Sequence, residues 1–313
     1  MEKKGAAQKK SRWKTVIIIL ITLFAISWLL SSIISLFIGA ERPLGGNVAL
    51  IQIKGPITVE GVESFGAKGT SSTEIIEFIK DADQSPSIKA ILFEINSPGG
   101  SAVASKEIAD AVTRTNKTTY ALIREVGASG AYWIASAADH IIANELSITG
   151  SIGVVASYIE FAGLLERYNM TYQRLVAGKY KDMGSSLKYL PEDEKKILQD
   201  KINKIHDYFI GSVAENRNIS IEKIKNIATG EFYLGSEAFE LGLIDSLGDK
   251  ETAIELIKKQ LNLTEVEFAE YEKPKTFIEI LTGAFSENFF LIGRGIGSAA
   301  AEQKTARGLE IFT

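Results

Sequence analysis

Three glycine-containing turns carry the serines best placed to do chemistry. They are Asn96–Gly100 (NSPGG), Gly127–Gly130 (GASG) and Thr149–Gly153 (TGSIG). The first directly follows the apolar run IKAILFEI, and the second lies between a predicted strand and a predicted helix. A serine between a strand and a helix exposes its hydroxyl, and free N–H groups at the helix start can bind an oxyanion. Small neighbours let a substrate backbone approach. The pattern fits nucleophilic catalysis, and it also fits turns that need glycine for steric reasons alone.

A serine nucleophile needs a general base, which is usually histidine. The chain has two histidines. His140 comes eleven residues after Ser129, at the far end of the same helix-strand unit. His206 lies in a long amphipathic helix, where a structural role fits better. Lysine is the known substitute, and the segment GKYKD at 178–182 offers two lysines.

Composition excludes several other classes of protein. The net charge is -4, and no basic stripe occurs beyond the first fourteen residues, which argues against nucleic-acid binding. The chain has no cysteine, so disulfides, thiolate metal sites and a cysteine nucleophile are excluded.

Residues 15–40 form an uncharged apolar run of 26 residues. About 20 helical residues cross a hydrocarbon core of ~30 Å, so this run predicts a transmembrane helix. A cleaved signal peptide is the alternative, but the run is too long for one. Residues 1–14 are basic, which predicts a cytoplasmic N-terminus, a single pass through the plasma membrane, and an extracytoplasmic catalytic part after a linker at 41–46.

The remaining pattern predicts an α/β fold. Strands and helices alternate at the spacing of βαβ units, which implies a largely parallel sheet covered by helices. Strands are predicted at 47–54, 88–95, 118–126 and 140–143, with a further strand segment at 150–157 and a strand-like run at 172–177. Helices are predicted at 72–83, 102–115, 129–138, 191–216, 221–228 and 249–261.

The ordered motifs resemble the signal peptide peptidase A family of membrane-bound serine peptidases over residues 45–262. The motifs are INSPGG, GASGAYWIAS, LSITGSIGV, AGKYKDMGS and GEFYLGSEAFELGLIDSLGD. The resemblance implies a ClpP/crotonase-like fold for a peptidase domain at 47–262, followed by an extension of unclear role at 263–313. The sequence departs from the family at Glu231, where relatives usually carry a basic residue.

The resemblance also implies the site residues. Ser129 corresponds to the nucleophile and Lys181 to the general base. Ser151 would hydrogen-bond the lysine amine and orient it. The backbone N–H groups of Gly100 and Gly130 would form the oxyanion hole. No metal or organic cofactor is implied.

Lys181 is favoured over Lys179 by the family pattern. Free lysine has a pKa of ~10.4 and must be desolvated to act as a base near pKa ~7–8. A carboxylate beside the amine would oppose this change. We therefore expect Asp182 to point away from the Lys181 amine, toward solvent or a structural partner.

The family degrades apolar signal-peptide remnants and some misfolded exported or membrane proteins, and its relatives assemble homo-oligomeric rings. Two related alternatives are a stomatin-operon-type membrane protease and a crotonase acting on acyl-CoA. An inactive protease-like scaffold is a third. The apolar anchor, the outward orientation and the GKYKD lysine disfavour the acyl-CoA enzyme, and the complete set of site residues disfavours the scaffold.

Overall fold

The computed structural model describes residues 13–38, 45–61, 63–64 and 67–272. These residues belong to two units. One contains the single helix α1, Trp13–Ile38, and the other contains all described residues from 45 onward.

Helix α1 covers most of the apolar segment predicted at 15–40. Its described side chains from Val16 to Leu29 are exposed. Within the described ranges, no helix meets the length and apolarity needed to cross a membrane. The transmembrane role of residues 15–40 therefore stays a prediction.

The second unit contains short and long helices in alternation with strands. Its helices are α2 Ser72–Gln84, α3 Ala102–Arg114, α4 Gly130–Ser136, α5 Ala162–Arg167, α6 Glu192–Asn216, α7 Ile221–Ile227, α8 Gly235–Leu241 and α9 Lys250–Leu261. Its strands are β1 Val48–Lys54, β2 Ile57–Thr58, β3 Glu63–Ser64, β4 Ala67–Lys68, β5 Thr70–Ser71, β6 Ala90–Ser97, β7 Thr118–Ala128, β8 His140–Ala143, β9 Ile148–Gly150, β10 Phe232–Leu234, β11 Ser246–Leu247 and β12 Phe268–Tyr271.

The main sheet has the order β10-β9-β7-β6-β1-β12. Strand β8 pairs with residues 120–123 of β7, and β9 pairs with residues 126–128 of β7. Strand β11 pairs with β8. Among these described strands only β9 and β10 are antiparallel, and every other neighbouring pair is parallel. The prediction of an α/β fold with a largely parallel sheet is confirmed.

The sheet is buried on both faces, as the apolar runs require. Alternate residues of β1 enter different cores: Val48 and Leu50 join the smaller cluster, whereas Ala49, Ile51 and Ile53 join the larger one. Helix α9 contributes Ala253 and Ile257 to the smaller core. The larger core receives buried residues from α2, α3, α4 and α6.

Helix α4 is anchored to α6 by aromatic stacking. The rings of Trp133 and Phe209 lie 4.4 Å apart between centroids and are inclined by 8°. The amide of Asn216 donates a hydrogen bond to the Ser136 hydroxyl at 3.0 Å. Since α4 begins at Gly130, this packing fixes the helix that follows the Gly127–Gly130 turn.

Two strand predictions are wrong. Of the segment predicted at 150–157, only Gly150 belongs to a strand, as the last residue of β9. Ser151 has φ 50°, which takes the backbone out of the extended region and ends the strand. The run at 172–177 forms no strand, and its residues are exposed, with Leu175 95% accessible.

Between residues 263 and 272, the described part of the chain adds strand β12 to the sheet. Strand β12 lies in the predicted extension at 263–313 and pairs in parallel with β1. The apolar stretches at 277–280 and 289–292, like the basic residues at 1–12 and most of the linker at 41–46, lie outside the described residues.

Candidate active site

The three glycine turns meet at one edge of the sheet. NSPGG follows the carboxyl end of β6, GASG that of β7, and TGSIG that of β9. These strands are parallel neighbours in the order β9-β7-β6, so their carboxyl ends point the same way. Such an edge is where open α/β sheets place their ligands.

Ser129 is held at the junction of β7 and α4 in a strained conformation. Its φ is 53° and its ψ is -125°, a region that side-chain-bearing residues rarely adopt. The Ser129 N–H donates a hydrogen bond to the Gly150 carbonyl at 2.8 Å. Its hydroxyl does not cap α4. The half-buried side chain is therefore available for other chemistry.

Two glycines bring backbone N–H groups close to Ser129. A Cβ at Gly99 would lie 2.6 Å from the Gly130 nitrogen, and one at Gly130 would lie 3.3 Å from the Gly100 nitrogen. As the first residue of α4, Gly130 has an N–H without an intrahelical acceptor. Within the described chain, the Gly100 N–H donates none of the turn's backbone hydrogen bonds. The structure thus places Gly100 and Gly130 together.

Ser151 lies on the neighbouring strand end. Its N–H donates to the Glu231 carbonyl at 2.9 Å and its hydroxyl donates to the Gly230 carbonyl at 3.2 Å. Together with Ser129 it lines a cavity of ≈ 370 Å³. The remaining lining residues are Gly153, Val154, Val155, Gln199, Ile202, Asn203, His206, Thr229 and Gly230.

Lys181 is not brought to this cavity within one chain. Its side chain is exposed and is absent from the cavity lining. Its backbone N–H donates to the Gly178 carbonyl at 3.1 Å, and its amine makes no hydrogen bond or ion pair with a described residue. The described chain therefore presents the serine half of the site without the lysine half.

The competing lysine, Lys179, is bound to other groups. Its amine donates to the Tyr180 hydroxyl at 2.9 Å and pairs with Asp193 at 3.0 Å. These contacts with Tyr180 and Asp193 raise the pKa of Lys179 well above its ordinary range. A lysine held in its charged form is a poor general base.

Asp182 points toward structural partners, as expected. Its carboxylate accepts hydrogen bonds from the Arg174 guanidinium, with Nη2 at 2.7 Å, and from the Lys188 amine at 3.1 Å. The bond from Arg174 is the chief reason that the pKa of Asp182 lies well below its usual range. This carboxylate is engaged by two cations other than Lys181.

His140 lies elsewhere in the fold. Its Nε2 is 2.9 Å from the Ser246 hydroxyl, and burial lowers the pKa of its imidazole. It does not line the Ser129 cavity. No cluster of three or more metal-ligating side chains occurs among residues of the described ranges.

The sequence matches one family model and several known proteins. The sequence matches Peptidase family S49 over residues 111–264. A Methanocaldococcus jannaschii protein, provisionally named a protease, is 35% identical over 227 residues, which are 71% of this chain and 71% of the relative. An Enterococcus faecium protein, provisionally named a signal peptide peptidase SppA, is 32% identical over 234 residues, 74% of this chain and 68% of the relative.

The chain belongs to the signal peptide peptidase A family. A further relative is a chloroplastic serine protease SPPA of Arabidopsis thaliana, 30% identical over 248 residues, which are 76% of this chain and 35% of the relative. As a member of Peptidase family S49, the chain is a protease. The matched segment at 111–264 contains Ser129, Ser151 and Lys181, whereas Gly100 precedes it.

The structure shows what residue 231 does, the position at which a departure from the family pattern is expected from the sequence. Its carbonyl accepts the Ser151 N–H, and its side chain is exposed. The backbone of residue 231 therefore supports Ser151 without help from the carboxylate.

The sequence did not predict that α6 lines one side of the cavity that contains Ser129 and Ser151. Gln199, Asn203 and His206 reach it from one face of α6, and the ring nitrogen Nε2 of His206 lies 3.1 Å from the Ile152 carbonyl. The spacing of i, i+4 and i+7 indicates a shared helix face. Nothing in the sequence says that this face meets the Ser129 turn.

Proposed function

We propose that this protease is a serine endopeptidase with Ser129 as nucleophile and Lys181 as general base. The observation that carries the proposal is the uncapped Ser129 hydroxyl in the cavity that Ser151 also lines. The strained backbone at Ser129 supports it, because strain of this kind concentrates at functional sites.

In the proposed acylation, the Ser129 hydroxyl attacks a peptide carbonyl carbon while its proton passes to the neutral Lys181 amine. The oxyanion accepts hydrogen bonds from the N–H groups of Gly100 and Gly130. Collapse breaks the C–N bond, and the Lys181 ammonium returns its proton to the leaving amine. An ester on Ser129 remains.

Deacylation uses the same groups in reverse. Lys181 takes a proton from water as the water oxygen attacks the ester carbonyl. Collapse of the second tetrahedral species breaks the bond to Ser129, whose oxygen recovers the proton from Lys181. Ser151 would hydrogen-bond the amine and keep it directed at the nucleophile.

We further propose that Lys181 reaches Ser129 from a second copy of the chain. The Lys181 side chain is exposed to water in one chain. Burial against another copy would remove that water and favour the neutral amine. A homo-oligomer therefore supplies both proximity and desolvation.

The surface around Lys181 supports association between copies. Residues 154–189 expose many large apolar side chains, among them Val155 at 86%, Ile159 at 72% and Leu175 at 95%. Apolar patches of this kind mark interaction surfaces. The same residues belong to the segment that carries the proposed base.

Mixed assemblies test this arrangement. Ser129→Ala and Lys181→Ala chains are each expected to lack peptidase activity while remaining folded. Co-expressed in one assembly, they should restore activity at about one quarter of the sites, because a site then needs one intact residue from each neighbour. Full turnover by either single variant would refute the dyad, and absence of restoration in a verified mixed assembly would refute its sharing.

We also propose that residues 15–40 anchor the protein in the plasma membrane with residues 1–14 in the cytoplasm and the catalytic unit outside. The apolar run and the preceding basic residues support this topology. The proposed substrates are apolar remnants of signal peptides, which lie at the same membrane surface. Incubation of the full chain with synthetic signal peptides should yield fragments, and Ser129→Ala should yield none.

A further inference from the structure

Four charged side chains form a continuous cluster beside Lys181, here called the loop network: Arg174, Asp182, Lys188 and Glu194. Arg174 and Lys188 both donate to the Asp182 carboxylate. The Lys188 amine also donates to Glu194 Oε1 at 2.8 Å. Lys188 therefore bridges two carboxylates that lie twelve positions apart in the sequence.

The loop network is shielded at its centre. The side chains of Asp182, Lys188 and Glu194 are 12%, 18% and 7% exposed, whereas Arg174 at the edge is 39% exposed. Two cations face two anions, so the cluster is neutral without Lys181. A shielded charge cluster persists only with good geometry, because removing one partner leaves a charge that water cannot stabilise.

The loop network joins two parts of the proposed site. Residues 171–190 form turns without a helix or strand, so regular hydrogen bonding does not fix Lys181. Asp182 directly follows Lys181, and Glu194 is the third residue of α6. The same helix lines the Ser129 cavity and stacks on α4. The cluster thus ties the lysine-bearing turn to a rigid helix.

Stability alone does not explain this cluster. Glu194 Oε2 is buried and has no hydrogen-bond partner among the described residues. A buried charged oxygen without a partner costs free energy of folding, and apolar replacements of shielded ion clusters are often neutral or stabilising. Such a cost is consistent with a role in fixing the position of a neighbouring group.

We propose that Asp182, Lys188 and Glu194 are positioning residues for Lys181, holding its turn against the start of α6 so that its amine projects in one fixed direction. This inference rests on the proposed function, in which Lys181 is the base. The network also neutralises the charge of Asp182, the carboxylate nearest in sequence to the Lys181 amine, through ion pairs with Arg174 and Lys188.

Adjacent residues of α6 provide a matched test. Asp193 makes a second tie to the same turn through Lys179, but this pair is exposed, at 51% and 72%. Glu194→Gln and Asp193→Asn each remove one negative charge from the first turn of α6. Misplacement of a catalytic group lowers kcat, so Glu194→Gln is expected to reduce kcat about 10- to 100-fold. KM should change by less than about threefold, and Asp193→Asn should change neither.

Rescue separates positioning from general destabilisation. Lys188→Arg can keep both ion pairs and should retain much more activity than Lys188→Gln. Arg174→Gln removes the most exposed member, so it should fold even if Glu194→Gln does not, with a smaller fall in kcat. The readouts are kcat and KM on an apolar quenched-fluorescence peptide and the rate at which a fluorophosphonate labels Ser129, each normalised to folded, assembled protein.

The outcomes separate the two proposals. Equal kcat in Glu194→Gln, Asp193→Asn and the unsubstituted chain, with Lys181→Ala inactive, would overturn the positioning role alone. Equal kcat for Lys188→Arg and Lys188→Gln would do the same. Full activity of Lys181→Ala would instead overturn the proposed function itself. The inference is supported if kcat falls in Glu194→Gln but not in Asp193→Asn. It also requires Lys188→Arg to retain much more activity than Lys188→Gln.

Discussion

At the scale of single residues, unusual backbone angles distinguish Ser129 and Ser151 from most other described residues. Five described residues other than glycine have positive φ: Ser129, Ser151, Asn169, Asn218 and Asn262. The asparagines follow helices α5, α6 and α9, where Asn commonly ends a helix in the left-handed region. Helix ending does not explain Ser129 and Ser151, since both follow strands and line the cavity. Their strain is the residue-level signal of a site.

Gly100 should be intolerant of any side chain. A Cβ there would lie 2.1 Å from the Ile57 carbonyl oxygen, so the backbone must shift. Gly100→Ala is expected to lower kcat more than about 10-fold and to lower the thermal midpoint, because the proposed oxyanion donor moves. Gly211→Ala in α6 is the control. It meets no atom within 4 Å, and it should keep activity and raise stability by about 0.5–1 kcal/mol. An active, equally stable Gly100→Ala protein would contradict this assignment.

His206 should support the Ser151 turn through its bond to the Ile152 carbonyl, in which Nε2 is the donor. Loss of one such hydrogen bond is worth about 0.5–1.5 kcal/mol. We expect His206→Ala to lower kcat about 3- to 10-fold and His206→Gln to lower it less. Steady-state kinetics on a peptide substrate measure both. Complete inactivation by His206→Gln would point instead to a direct chemical role for the imidazole.

At the scale of elements, local patterns predicted most of the second unit. The helices at 72–83, 102–115 and 191–216 recur within one residue of their predicted ends, because apolar periodicity and capping residues are local signals. The segment at 150–157 failed, since a single residue with positive φ ends the strand. Tertiary packing decides which face of α6 meets the site, so His206 could not be assigned. In the proposed homo-oligomer, the position of Lys181 relative to Ser129 depends on contacts with a second copy of the chain.

The contact between α4 and α6 should dominate the stability of this region. Trp133 is 3% exposed and stacks on Phe209. Truncation of a buried tryptophan costs about 3–5 kcal/mol, so Trp133→Ala should lower the free energy of unfolding by that amount. Trp133→Phe preserves an aromatic contact and should cost less. Denaturant unfolding checks both, and equal stability of the two variants would show that stacking contributes little.

At the scale of the whole molecule, the three glycine turns of the candidate site lie at one edge of the sheet, and many exposed apolar side chains lie within residues 154–189. Within one chain, the carboxyl ends of β6, β7 and β9 bring Gly100, Ser129 and Ser151 to the same edge of the sheet. Residues 154–189 carry Lys181, and most of them are exposed to solvent. Strand-turn patterns alone left a steric role for these turns open, and the roles predicted for Ser129 and Ser151 came from the family resemblance. The lysine half required the family resemblance, because no local pattern distinguishes Lys181 from Lys179.

The charge distribution predicts loss of stability in acid. Hydrogen bonds from Arg174 to Asp182, from Lys179 to Asp193 and from the Thr252 N–H to Asp249 hold the pKa of each carboxyl below the ordinary aspartate value of 3.8. A depressed pKa means that the unfolded chain binds protons first as pH falls. The stabilisation is therefore complete above that ordinary value and is lost as pH drops through the lower folded values.

Thermal unfolding of the full chain between pH 6 and pH 2.5 measures this loss. The midpoint should be nearly constant down to about pH 5 and should fall steadily below about pH 4. Asp249→Asn keeps a side-chain oxygen to cap α9 but loses the titrating charge, so its midpoint should fall less steeply over the same interval. A midpoint that stays level or rises on acidification would show that these three carboxylates are not stabilised as the ion pairs and cap require.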